Sequence, residues 1–239
     1  DKNGYIKSKH TIANISLDSD SWLSGKNEFS LTFQKETFDS RYNIFPAGSV
    51  LHIGSDGNLD FVAPTTVALF TDGYLGNPGK VSQTVQMSFT NIQNISTNHK
   101  VRWQFGGEYN ETDAFETKNF GPGILDGTET IVDGTLTNVD NTDGLYTKDT
   151  YEHFLFASIQ DEWRVSDNFN AVIGLRYDDY EAFGSVFTPR VSLIWNTTPK
   201  LTTKLIYGSG YRAPTANERF FRNNPVTIGN ENIKPEEID

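Results

Sequence analysis

The sequence predicts an all-β protein: one partial wall of an antiparallel transmembrane β-barrel, about eight strands, with long loops at one end. Three observations carry that prediction. Apolar and polar residues alternate with a period of two over stretches of about ten residues; charges stand mid-strand on the polar side; and short links alternate with long ones. A period of two with one apolar and one polar face marks a strand half in contact with solvent. About ten such residues, tilted, cross a bilayer, and a barrel puts its apolar row against lipid and its polar row in the lumen.

The clearest strands are the last four. In 169–180, Phe169, Ala171, Ile173, Leu175 and Tyr177 oppose Asn170, Val172, Gly174, Arg176 and Asp178. In 186–195, Phe187, Pro189, Val191, Leu193 and Trp195 oppose Thr188, Arg190, Ser192 and Ile194. The strand 201–213 sets Leu201, Thr203, Leu205, Tyr207 and Tyr211 against Thr202, Lys204, Gly208, Gly210 and Arg212. Before them, 150–164 places Leu155, Ala157, Ile159 and Trp163 opposite Ser158, Gln160, Glu162 and Arg164; Asp161 interrupts the apolar row, as expected near an interface. Four earlier strands are expected at 10–18, 27–35, 80–92 and 99–110, the last with Val101, Trp103, Phe105 and Tyr109 facing away from Lys100, Arg102 and Glu108.

The links sort by length. Those near 19–26, 93–98, 166–168 and 196–200 are short. The stretches 36–79, 111–149 and 214–239 are long and dense in Gly, Pro and Asp, which read as loops; only 181–185 on that side is short. Every long loop therefore leaves the same end of the strands, as in outer-membrane barrels with tight periplasmic turns and long extracellular loops. A soluble β-sandwich that binds a ligand is the alternative, but it gives no reason for loop lengths to segregate.

Composition agrees. No run approaches the ~20 apolar residues of a spanning helix, while 17 Phe, 10 Tyr and 4 Trp suit rings at two membrane interfaces. A net charge of −11 argues against nucleic acid as a partner, and without cysteine there is no disulfide or thiolate chemistry. The start, Asp1–Tyr5, has no apolar core of a signal peptide, and the polar finish at Glu236–Asp239 is abrupt; both ends read as cuts through a larger barrel.

The final strand and loop carry a recognisable pattern. Tyr207-Gly-Ser-Gly-Tyr-Arg-Ala-Pro-Thr-Ala-Asn-Glu218 and Gly229-Asn-Glu-Asn-Ile-Lys-Pro-Glu236 resemble the Y-x-x-G-F-R-A-P and G-N-P-x-L-K-P-E segments of TonB-dependent outer-membrane receptors. Gln160-Asp-Glu-Trp163, Gly174-Leu-Arg-Tyr-Asp178 and Phe187-Thr-Pro-Arg190 are similar to the same family's strand motifs, in the same order. Tyr211 replaces the family's Phe, and Glu231 its Pro. The motifs cover residues 150–239; the first 150 residues match in style alone, and nothing resembles a TonB box or plug domain. The resemblance implies about a third of a 22-stranded plugged barrel. It further implies a receptor that captures a scarce ligand, most readily a ferric siderophore, and imports it when TonB pulls on the plug. A passive porin has the same wall, and cobalamin, haem or a glycan would be served by the same wall with other loops.

Candidate residues follow from these readings. Arg102, Glu162, Arg164, Arg176, Asp178, Arg190, Lys204 and Arg212 fall on the polar parity and are expected to face lumen or plug, Arg212 pairing with a carboxylate such as Asp178. For the ligand, Arg41, Tyr42 and Phe45 in the first loop and Arg219, Phe220, Phe221 and Arg222 in the last combine planar cations for anionic oxygens with flat apolar rings. Asp56, Asn58 and Asp60 have the oxygen spacing that begins a calcium loop but lack its later Gly and Glu, so a turn is expected. No metal-binding His spacing, G-x-S-x-G or phosphate loop occurs, and Asp178 and Asp179 point to opposite faces. The sequence therefore calls for no catalysis and no cofactor.

Overall fold

The computed structural model describes residues 4–238. In chain order the elements are β1 (Tyr5–Ser19), β2 (Lys26–Asn43), β3 (Ser49–Ile53), β4 (Thr66–Phe70), β5 (Leu75–Asn94) and β6 (His99–Lys118). Then come α1 (Pro122–Leu125), β7 (Ile131–Val132), β8 (Thr137–Asn138), β9 (Thr150–Ser166), β10 (Phe169–Tyr180), β11 (Gly184–Thr198) and β12 (Leu201–Gly208). The last elements are β13 (Gly210–Arg212), α2 (Ala216–Phe220) and β14 (Glu236–Ile238).

Eight long strands form one antiparallel sheet in the order β1-β2-β5-β6-β9-β10-β11-β12, with the short β8 added to β6. The sheet is open at β1 and β12, so it is a length of barrel wall. Its register aligns the alternation of all eight strands. Leu17, Phe29, Phe89, Phe105, Ala157, Tyr177 and Phe187 lie side by side across seven of them. On the opposite face, Arg102, Gln160, Gly174, Arg190 and Gly208 form an equally continuous polar row.

Among the described residues, none covers the apolar face. Phe187 is 60% and Trp195 51% exposed, and Phe105, Ile159, Ile173, Leu175 and Leu205 are exposed as well. A sandwich would have placed a second sheet over them; a barrel leaves them for lipid. Trp103, Trp163 and Trp195 stand toward the short-turn end of this face, and Tyr109 and Tyr151 toward the loop end, where aromatic girdles belong.

The buried apolar core lies among the loops. The antiparallel pair β3–β4, with β7 parallel to β4, packs Leu51, Ile53, Ala68, Phe70 and Val132 against Tyr74, Phe120 and Ile124. Asn119 ties the two long loops together: its amide donates to the carbonyls of Gly73 and Asp133 at 2.8 Å, and its Oδ1 accepts from Leu75 N–H at 2.8 Å. This loop head has a buried core of its own.

Three sequence expectations are corrected. Residues 36–43 and 75–79 are strand, as are 111–118, because β2, β5 and β6 run on past the length a bilayer needs. The glycines there accommodate rings instead of breaking the ladder: a Cβ on Gly79 would run into the Phe115 ring, and one on Gly76 would stand 2.7 Å from the Tyr42 ring. At the other end, 201–213 is not one strand. The regular ladder with β11 ends at Gly208, Ser209 N–H makes a last bond to Pro189 O at 3.1 Å, and β13 pairs with β14 as a separate ribbon.

Candidate functional site

At the loop end of the polar face a pocket of about 840 Å³ opens between the starts of β1 and β5, β2, and the segments at 146 and 217–221. Its apolar lining is Ile6, Phe38, Tyr42, Tyr146 and Phe221; Glu36, Arg41 and Lys80 add charge. Phe38 and Tyr42 reach it because they share the polar-face parity of β2 with Ser40, whose hydroxyl donates to Pro78 O at 3.0 Å.

Tyr146 is held by polar and aromatic contacts, its carbonyl accepting from Arg222 N–H at 2.8 Å. Its N–H donates to Glu116 Oε2 at 3.0 Å, its hydroxyl donates to Gly79 O at 3.1 Å, and its ring meets Phe221 edge-on at 5.7 Å. Phe221 in turn follows α2, a single turn opened by Thr215 and Glu218, each side chain bonding the other's backbone N–H. Glu218 also accepts from Arg212 at 2.9 and 3.0 Å. The Arg212 bonds, with those from Thr215, hold the Glu218 carboxyl down at about 2.

Beneath the pocket lies a fully buried ion pair, Lys118 Nζ to Glu116 Oε2 at 3.1 Å. Lys118 also donates to Asn223 O at 3.1 Å, and Glu116 Oε1 accepts from the Tyr42 hydroxyl at 3.3 Å. Side chains at the ends of β2 and β6 and backbone from two loops thus meet at one point. Burial raises the Glu116 carboxyl and lowers the Lys118 ammonium, each against the pull of its partner. Burial likewise raises the hydroxyls of Tyr42 and Tyr74, which keeps both neutral; Tyr42 donates to Glu116, whereas the buried Tyr74 hydroxyl has no partner among the described residues.

Of the residues singled out for the ligand, Arg41, Tyr42 and Phe221 border this pocket. Phe45 packs on the loop-head core beside Tyr74. Arg219 pairs with Glu152, and Phe220 is buried beneath it. Arg222 donates to the carbonyls of Leu145 (3.2 Å) and Thr142 (3.5 Å), which fastens the last loop to the second. Phe38, Lys80 and Tyr146 were not anticipated; an aromatic on the polar parity, as Phe38 is between Glu36 and Ser40, was the available signal.

Arg102, Glu162, Arg164, Arg176, Asp178, Arg190 and Lys204 all occupy the polar face. Arg176 grips the buried Asp178 (Nε–Oδ2 2.8 Å) and lies over the Phe156 ring at 4.5 Å. Lys100 pairs with Glu162 at 3.4 Å, and Arg164 with Asp167 at 2.8 Å. The partner expected for Arg212 is corrected. Because β13 pairs with β14 and it is Tyr211 that reaches the polar-face Tyr180 (2.8 Å between hydroxyls), Arg212 does not take the expected lumenal position: it bonds Glu218 and Glu236 (2.8 Å), leaving Asp178 to Arg176. Asp56 accepts the Asn58 N–H at 3.0 Å and Asp60 that of Val62 at 2.8 Å; both aspartates serve turns.

The family model for the TonB dependent receptor-like β-barrel matches residues 2–239. The chain belongs to that family. Its relatives place this TonB-dependent receptor wall in the outer membrane: the iron-regulated outer membrane virulence protein of Vibrio cholerae serotype O1 is 36% identical over 83 residues, 33% of this chain and 13% of that protein. The vitamin B12 transporter BtuB of the same species is 31% identical over 84 residues, 35% of this chain and 13% of BtuB. The siderophore receptor PirA of Acinetobacter baumannii shares the fold, with a TM-score of 0.61 and 16% identity over 97% of this chain and 31% of PirA. The chain thus spans about a third of that receptor, and its aligned segments about an eighth of the curated relatives. Family and relatives are receptors and transporters.

Proposed function

We propose that this wall serves a receptor that takes up a ferric siderophore across the outer membrane, with TonB supplying the energy through a plug. The loop end faces outside, and the polar face lines the lumen. The observation that carries the reading is the pocket at the mouth of that face, whose volume suits a small chelate. Tyr146 and Phe221 offer rings to an aromatic or apolar chelate, and Lys80 offers a cation to its anionic oxygens, while Arg41 borders the pocket from the opposite parity of β2. Arg219 and Arg222 act by holding the loop that presents Phe221. The similarity to an iron-regulated receptor, at 36% identity against 31% for the vitamin B12 transporter, supports iron ahead of cobalamin.

Along the lumen, Arg102, Arg190 and Lys204 share the polar face without belonging to its described ion pairs, and they are the groups offered to the plug. The test is uptake of ⁵⁵Fe-loaded catecholate and hydroxamate siderophores by cells carrying the full-length protein, with labelled cyanocobalamin as a parallel arm. Uptake of one ferric chelate, weakened about tenfold in affinity by Phe221→Ala, supports the reading. Uptake of cobalamin alone would replace it.

A further inference from the structure

The outward face of β1 and β2 carries a group of cations that nothing above employs. Lys7 and Lys9 on β1 and Lys35 on β2 share the parity of Ala13, Ile15, Leu31 and Phe33, so they continue the apolar row toward the loop end. The register sets Lys35 opposite Thr11, Lys9 opposite Thr37 and Lys7 opposite Asp39. Same-face neighbours stand roughly 7 Å apart along a strand and 5 Å across strands, so three ammonium groups crowd one small area. All three are exposed, and none belongs to an ion pair among the described residues; Lys7 lies over the Tyr5 ring at 4.5 Å. Asp39, the carboxylate among them, accepts the Tyr5 hydroxyl at 3.2 Å.

The grouping is local. At the same level on β6 and β9, the outward residues are Glu111, Asp113 and Tyr151. Three clustered like charges repel one another, and along the lipid face they sit where the apolar belt ends and headgroups begin. Loose surface charge explains neither their confinement to one strand pair nor that height.

We propose that Lys7, Lys9 and Lys35 form a binding site for the phosphorylated headgroup of an outer-leaflet glycolipid. The belt below, Ala13, Ile15, Leu31 and Phe33, takes its acyl chains, and the lysines take its phosphates. The site depends on the loop end facing outside, as the proposed function has it.

The full-length protein, reconstituted in phosphatidylethanolamine nanodiscs with trace bis-phosphorylated lipid A, provides the test, with bound glycolipid counted by native mass spectrometry. Wild type is expected to retain lipid A over its dephosphorylated form. Each Lys→Gln substitution is expected to weaken retention about fivefold, and the Lys7→Gln/Lys9→Gln/Lys35→Gln variant to abolish the preference for phosphate. A Glu111→Gln/Asp113→Asn variant controls for general charge change and should retain lipid A as wild type does. Equal retention by the triple variant, equal retention of dephosphorylated lipid, or preference for cardiolipin would overturn the site. Orientation is read separately: Val62→Cys, at a position 95% exposed in the first loop, should react with an impermeant maleimide on intact cells. Failure of that labelling points to the reading of sidedness, while normal labelling with unchanged lipid retention points to the site alone.

Discussion

The wall and the loop head solve stability in different ways. The wall is one layer: its apolar side chains stay exposed, and its strands are held by the ladder, by neighbouring rings such as Tyr177 and Phe187 at 4.7 Å, and by surrounding lipid. Cross-strand pairs contribute only about 0.2–1 kcal/mol each, so the wall relies on its solvent. The head, in water, buries Ile53, Ala68, Phe70, Tyr74 and Ile124 completely and encloses an ion pair. Hydrophobic residues in this protein are therefore exposed where lipid receives them and covered where water would.

The comparison can be broken at the head first. Lys118→Met leaves Glu116 buried without its cation and is expected to cost the head about 3–5 kcal/mol. Hydrogen exchange should accelerate in β3, β4 and the 142–147 segment while β10 and β11 stay protected. Adding Glu116→Leu is expected to recover most of the loss. Acceleration spread evenly over the wall would mean that head and wall are one cooperative unit.

At the wall, Phe105→Arg places a charge midway along the lipid face and is expected to cost about 2–4 kcal/mol in unfolding from a bilayer. Ser192→Arg, at a half-buried position on the polar face of β11, should cost much less. Equal costs would mean that the two faces do not meet different solvents.

A smaller effect is expected from pH at the strap that closes the last loop. Glu218 titrates at about 2, below its ordinary 4.5. A carboxylate lowered in the folded state contributes stability above its unfolded pKa and loses it as pH falls through the folded one. Protection of the α2 amides should thus hold above about pH 5 and decline toward pH 2. Glu218→Gln should flatten that decline, and an unchanged profile in the variant would assign it elsewhere.

Much of the wall was legible. Ile173, Leu175 and Val191 on one parity and Arg176 and Arg190 on the other already separated the faces, and the short links near 93–98 and 166–168 gave the strand order. The head was not. Ser49–Ile53 and Thr66–Phe70 alternate weakly between clusters of Gly, Pro and Asp, and the signal of a loop outweighed that of a hairpin. The pocket was half legible: Tyr42 and Phe221 stood out as aromatics beside arginines, whereas Tyr146 lies in a polar stretch and enters through Glu116, thirty residues before it.

The sequence alone determined which side chains share a face and which strands are neighbours, because a strand's period of two is written in consecutive residues and antiparallel hairpins pair what is adjacent. The tertiary structure alone decided that Gly76 and Gly79 make room for rings, that Arg212 closes on Glu218 and Glu236, and that Lys118 meets Glu116, Tyr146 and Asn223 in one buried cluster. Those contacts depend on how the loops pack, which no local pattern of residues encodes; Lys118 and Asn223, for one, stand 105 positions apart.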